Sequence, residues 1–207
     1  SLSASIGNLD EIDGKVKGYD IFKTVIFLGF WLYGFVSICV FNLINPFITT
    51  WIGVEYLLER NLVLAIITCF FLSGMSTITK DYITLTKLFK ITKYKPWFEV
   101  AINLSVSILM VREYGMVGVF IGTISSNILT SFWFDPYVLF KHRFERSMKN
   151  YLVNYILNLG IVFFAGFITF SLVNLYENIF YKFAICLIIP NLVFVIIYKN
   201  FKEFLFI

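Results

Sequence analysis

The residues best suited to chemistry are few, and they lie near the ends of apolar runs. Glu99 enters the segment KPWFEVAINLSVSILM, with Asn103 one helical turn later on the same face. Lys80 and Asp81 follow SGMSTIT, and Asn127 interrupts GTISSNILT. Ionisable groups in such surroundings line paths for polar or ionic cargo, and amides tie helices together at about 0.6 to 2 kcal/mol per hydrogen bond. Glu99, Asn103, Asn127, Lys80 and Asp81 are therefore the candidate cavity-lining residues.

Covalent catalysis would need other parts. An acid/base or nucleophile set must converge near one reacting atom. The single histidine, His142, sits in the basic run FKHRFERS with no carboxylate at a catalytic spacing. Cys39, Cys69 and Cys186 fall inside apolar runs, where a lone thiol acts as a small hydrophobe, and none has a metal-ligand spacing. No catalytic residue, metal site, cofactor or disulfide is expected.

The elements that position these residues follow from composition. Of 207 residues, 59% are hydrophobic and only 14% charged, against about a quarter charged in an ordinary soluble domain. Charge-free runs mark six candidate membrane spans, at about 24–48, 61–79, 97–111, 115–134, 151–173 and 180–198. Residues 1–23 read as a connecting segment, and 24–207 as one transmembrane domain. The opening SLSASIGNLDEIDGKVKGYD lacks the basic-then-apolar order of a signal peptide.

The net charge of +4 does not point to nucleic acid, because the basic residues alternate by loop. Of 17 Lys and Arg, all but Arg60, Arg112 and Lys182 lie before the first span, between the second and third, between the fourth and fifth, or after the sixth. Lys15, Lys17, Lys23 and Lys202 belong to that majority. The positive-inside rule then makes both termini cytoplasmic, and the fold an all-α polytopic bundle. Solvated loops and lipid headgroups, rather than nucleic acid, are the expected surroundings of these lysines.

One span has an unusual row of small side chains. Gly118 and Gly122 form a GxxxG, Ser126 extends it by a turn, and Gly115 precedes it by three residues. In hydrocarbon no hydrophobic force draws helices together, so close backbone approach over small residues does that work. Gly115, Gly118, Gly122 and Ser126 are expected to pack on a neighbour. The short Arg112-Glu113-Tyr114 link makes that neighbour the preceding span, in an antiparallel hairpin.

The run SILMVREYGMVGVFIGTISSNILTSFWFDPYVLFKHRF resembles the late region of bacterial polysaccharide flippases of the multidrug/oligosaccharidyl-lipid/polysaccharide exporter superfamily. The opening SASIGNLDE and the later LINPFITTWIGVEYLL resemble two further places in the same lobe, in the expected order. The last two spans match only as apolar helices. The resemblance implies a two-lobe carrier of which this chain is the C-terminal lobe, the other lobe or a partner half-carrier being separate from it. Its cargo would be an undecaprenyl-pyrophosphate-linked oligosaccharide, moved across the bacterial cytoplasmic membrane by alternating access for cell-surface polysaccharide synthesis. The alternatives are a chain that inserts without transporting, or a membrane-embedded polysaccharide polymerase or transferase.

Overall fold

The computed structural model describes residues 2–199, with side chains from Gly18 onward. All regular structure among the described residues is helical. The main helices are α1 (Leu2–Trp51), α2 (Arg60–Leu85), the single turn α3 (Phe89–Thr92), α4 (Lys95–Tyr114), α5 (Met116–Ser126), α6 (Phe132–Leu139), α7 (Lys149–Val173) and α8 (Ile179–Tyr198). Two π turns, Asn127–Ser131 and Phe140–Phe144, join α5 and α6 and then extend α6, so that one unbroken helical path runs from Met116 to Phe144.

Five segments are long and apolar enough to cross a bilayer: Gly18–Trp51, Arg60–Leu85, Met116–Phe144, Lys149–Val173 and Ile179–Tyr198. This is the build of a multi-pass membrane protein. Helix α4, which holds the expected 97–111 span, is absent from that set. Its 20 residues give about 30 Å, a bilayer's hydrocarbon thickness, but Lys95, Glu99, Arg112 and Glu113 interrupt its apolar character. The backbone of α1 is continuous from Leu2 across the described part of the expected connecting segment 1–23. The side chains of Lys15 and Lys17, and all of Lys202, lie outside the described residues.

The helices form two packed groups that share α2. Helix α1 packs on α2, α7 and α8, while α2 also packs on α5 and α6. Large aromatic side chains fill the first seam: Phe22, Phe30 and Phe140 are almost fully enclosed, with Tyr82, Tyr151 and Tyr155 against them. Such rings meet edge to face because their quadrupoles favour it. Polar tips find partners inside the bundle: Tyr82 donates to the Gly18 carbonyl at 2.5 Å, Tyr198 to Asn158 at 2.8 Å and Trp31 to Asn191 at 2.8 Å. The last contact explains why Trp31 lies well inside its apolar run, while Trp51 and Trp97 stay exposed toward helix ends.

Pro46 and Pro190 both lie within helices. Near Pro46, Asn45 donates to the Leu58 carbonyl at 2.9 Å and accepts from the Leu58 amide at 3.0 Å. One side chain thereby satisfies both polar groups of a peptide position and fastens the α1–α2 loop to the helix that precedes it.

Candidate polar cleft at the α4–α5 hairpin

Helices α4 and α5 meet as an antiparallel pair, turning at Gly115, whose φ of +55° lies in the left-handed region. A glycine adopts that angle without steric cost, and the Gly115 position is otherwise open, so its place is in the turn and not in the packed row. Gly118 and Gly122 do lie in the seam. A Cβ on Gly118 would run into the carbonyl of Met110, and one on Gly122 into Ser107 and the Asn103 carbonyl. Ser126, buried, donates to the Thr123 carbonyl at 3.0 Å.

This close approach creates a ladder of polar rungs. Asn103 donates to Thr123 Oγ1 at 3.0 Å, and Ser107 reaches the Val119 carbonyl at 3.4 Å. On the far side of α5, Asn127 accepts from Ser76 Oγ at 2.8 Å and donates to Ser73 Oγ at 3.2 Å, tying α2 to the hairpin. In a medium without water these bonds replace hydration that the groups would otherwise lack.

Below the last rung sits a cluster of four charges. The Lys95 ammonium pairs with Asp135 Oδ2, approaches Glu99 Oε1 at 3.3 Å and donates to Ser131 Oγ at 3.0 Å. Ser131 in turn donates to Glu99 Oε1, which Thr130 also reaches at 3.3 Å. Lys80 on α2 completes the set at 3.2 Å from the same Glu99 oxygen. Two ammoniums and two carboxylates leave the cluster neutral, the condition under which charge is tolerated away from water. The other Asp135 oxygen, Oδ1, is buried with no hydrogen-bond partner.

A cleft of about 340 Å³ opens beside this cluster, lined by Lys80, Glu99, Val100, Asn103, Leu104, Ser126 and Asn127. Four of the five candidate cavity residues thus share one space. Asp81 does not: it is exposed on α2 and outside the cleft. Lys95, Ser131 and Thr130 have no place among the sequence candidates, and Asp135 reads in the sequence first as a helix end facing the interface. The only local signal for Lys95 is its position four residues before Glu99, a spacing that faces both along one helical side.

The cleft presents a cation, a carboxylate and two amides along one wall. No group of three His, Cys, Asp or Glu side chains converges among the described residues as a metal site would require. The three cysteines are free thiols. Comparison with protein-family models, with curated proteins and with solved structures finds no match to this chain.

Proposed function

We propose that this chain is the C-terminal part of a flippase that carries undecaprenyl-pyrophosphate-linked oligosaccharide across the bacterial cytoplasmic membrane. The observation that carries the reading is the cleft in which Lys80, Glu99, Asn103 and Asn127 converge inside a helical membrane bundle. Lys80 offers charge for a phosphate, and the amides offer donors and acceptors for a sugar. Ionisable residues turned into a bundle and bordering a cavity are what a path for a polar headgroup requires.

The reading includes a sixth span. Helix α4 runs alongside the α5–α6 path in the opposite direction, from Met110 beside Gly118 on α5 to Lys95 beside Asp135 on α6. If the Met116–Phe144 segment crosses the bilayer, α4 crosses with it, and its charged ends lie near the two interfaces. Six crossings return both termini to one side, which the alternation of basic loops makes the cytoplasm. Trp97, Val100 and Leu104 on α4 are more than half exposed and form the face on which an N-terminal lobe or partner half-carrier would pack.

Deletion of the gene tests this in the source cell. Surface polysaccharide should fall and the lipid-linked oligosaccharide should accumulate on the cytoplasmic side. The wild-type gene should restore both, and a Lys80→Ala/Glu99→Ala variant present at equal membrane level should not. Unchanged surface polysaccharide and lipid intermediates in the deletion strain would overturn the proposal.

A further inference from the structure

Helix α2 carries charge at both ends. Arg60 and Lys80 are separated by 20 residues of helix, about 30 Å, which is the thickness of a bilayer's hydrocarbon core. Lys80 belongs to the neutral cluster described above. Arg60 does not have such company.

The Arg60 guanidinium lies over the rings of Phe41 and Phe170, at 5.9 and 5.4 Å from their centroids. Lys182, in the first turn of α8, borders the same pocket of about 250 Å³, as does Asn174 at the end of α7. Glu59 is next to Arg60 in sequence, yet no carboxylate pairs with Arg60 or Lys182 among the described residues. Three helices therefore bring two uncompensated cations and an amide to one interfacial pocket. Stacking on two rings holds the guanidinium in place while leaving its N–H donors to a ligand.

The pocket continues into an apolar groove. Phe41, Asn42 and Phe170 border both, and the groove of about 420 Å³ runs on between α1, α2 and α7 past Leu64, Ile67 and Phe167. A long apolar wall ending at two cations matches a molecule with a hydrocarbon chain and an anionic head. Free phosphate would leave the groove empty, and a neutral lipid would leave the cations without a counter-charge.

We propose that this pocket and groove together hold one phosphate-bearing lipid, its phosphate on Arg60 and Lys182 and one chain along the groove. The site requires only that the helices stand in a bilayer, so it is independent of the transport reading. It lies one membrane thickness from the polar cleft, at the opposite interface.

Native mass spectrometry of the purified full chain in neutral detergent tests it, with phosphatidylglycerol, diacylglycerol and inorganic phosphate as probes. Phosphatidylglycerol should bind in preference to diacylglycerol, and Arg60→Gln/Lys182→Gln should weaken it by about 30-fold, since each interfacial cation contributes about a fivefold preference for an anionic lipid. Gly166→Phe, which narrows the groove, should weaken phosphatidylglycerol as well. Equal binding of diacylglycerol, or displacement of the lipid by millimolar inorganic phosphate, would overturn the proposal. Should the double variant fail to fold, Lys182→Glu alone decides, because that partly exposed side chain makes no hydrogen bond or ion pair among the described residues: unchanged phosphatidylglycerol binding would reject the site.

Discussion

Lys95 and Asp135 stand 40 residues apart in sequence and form an ion pair within the bundle, with side chains only 8% and 1% exposed. Solvent does not explain the pair. Each charge is there because the other is.

Removal of one partner should therefore cost far more than removal of both. Asp135→Ala is expected to lower stability by about 3 to 5 kcal/mol by leaving Lys95 and Lys80 to share the single carboxylate of Glu99, one positive charge in excess, while Asp135→Leu/Lys95→Met recovers most of that loss. Unfolding of the purified protein in mixed micelles, followed by circular dichroism, gives the two values. Additive losses would show that the pair is not coupled.

The hairpin seam separates its glycines by role. Gly118→Ala is expected to destabilise by about 1 to 3 kcal/mol, because the new methyl meets the Met110 backbone, which cannot yield as a side chain would. Gly115→Ala should cost about 1 to 2 kcal/mol for a different reason, the positive φ of the turn. Gly160→Ala, with nothing near its Cβ position, should be close to neutral or slightly stabilising. Equal effects at all three sites in the same unfolding assay would contradict this division.

The loop between α1 and α2 hangs on one amide. Asn45→Ala releases both polar groups of Leu58 and is expected to remove about 1 to 3 kcal/mol of local stability. Limited proteolysis of sealed, right-side-out vesicles should then cut within residues 52–59 of the variant faster than in the parent. Identical cleavage would mean that the loop is held elsewhere.

Sidedness has its own check. A cysteine placed in the Glu55 to Arg60 loop of a variant lacking Cys39, Cys69 and Cys186 should react with an impermeant thiol reagent in intact cells. One placed between Thr84 and Lys95 should react only after permeabilisation. The opposite pattern would invert the orientation assigned from the basic loops.

The spans of α1, α2, α7 and α8 are legible in the sequence because a bilayer selects on a single variable, uninterrupted apolarity, and these runs satisfy it over 20 residues or more. The antiparallel hairpin is legible too, since Gly118 and Gly122 lie directly after a link too short to hold anything but a turn. The inner cluster is a different matter. Lys95 sits beside Pro96 at the start of α4, where a lysine ordinarily points to water, and nothing local says that it turns inward. Asp135 precedes Pro136 in what reads as a span end, yet the helix continues through Phe144. Pairing across 40 residues is fixed by how three helices pack, and periodicity within one helix holds no record of it. Gly115 shows the converse error: its spacing suits a packed face, but backbone conformation claims it first.

The π turn at Asn127–Ser131 has one last consequence. An α-helix advances about 100° per residue, so a face that begins at Gly118 and Gly122 would have rotated well away from α4 by Ser131 and Asp135. The wide turn absorbs one residue, so the row that steps by four through Gly118, Gly122 and Ser126 steps by five to Ser131 and by four again to Asp135. The wide turn is thus a reserve of one residue: a deletion within 127–131 is taken up by closing it to an ordinary α turn with Asp135 still facing its lysine, whereas a deletion within 132–134 would swing that carboxylate by roughly a quarter of a circle.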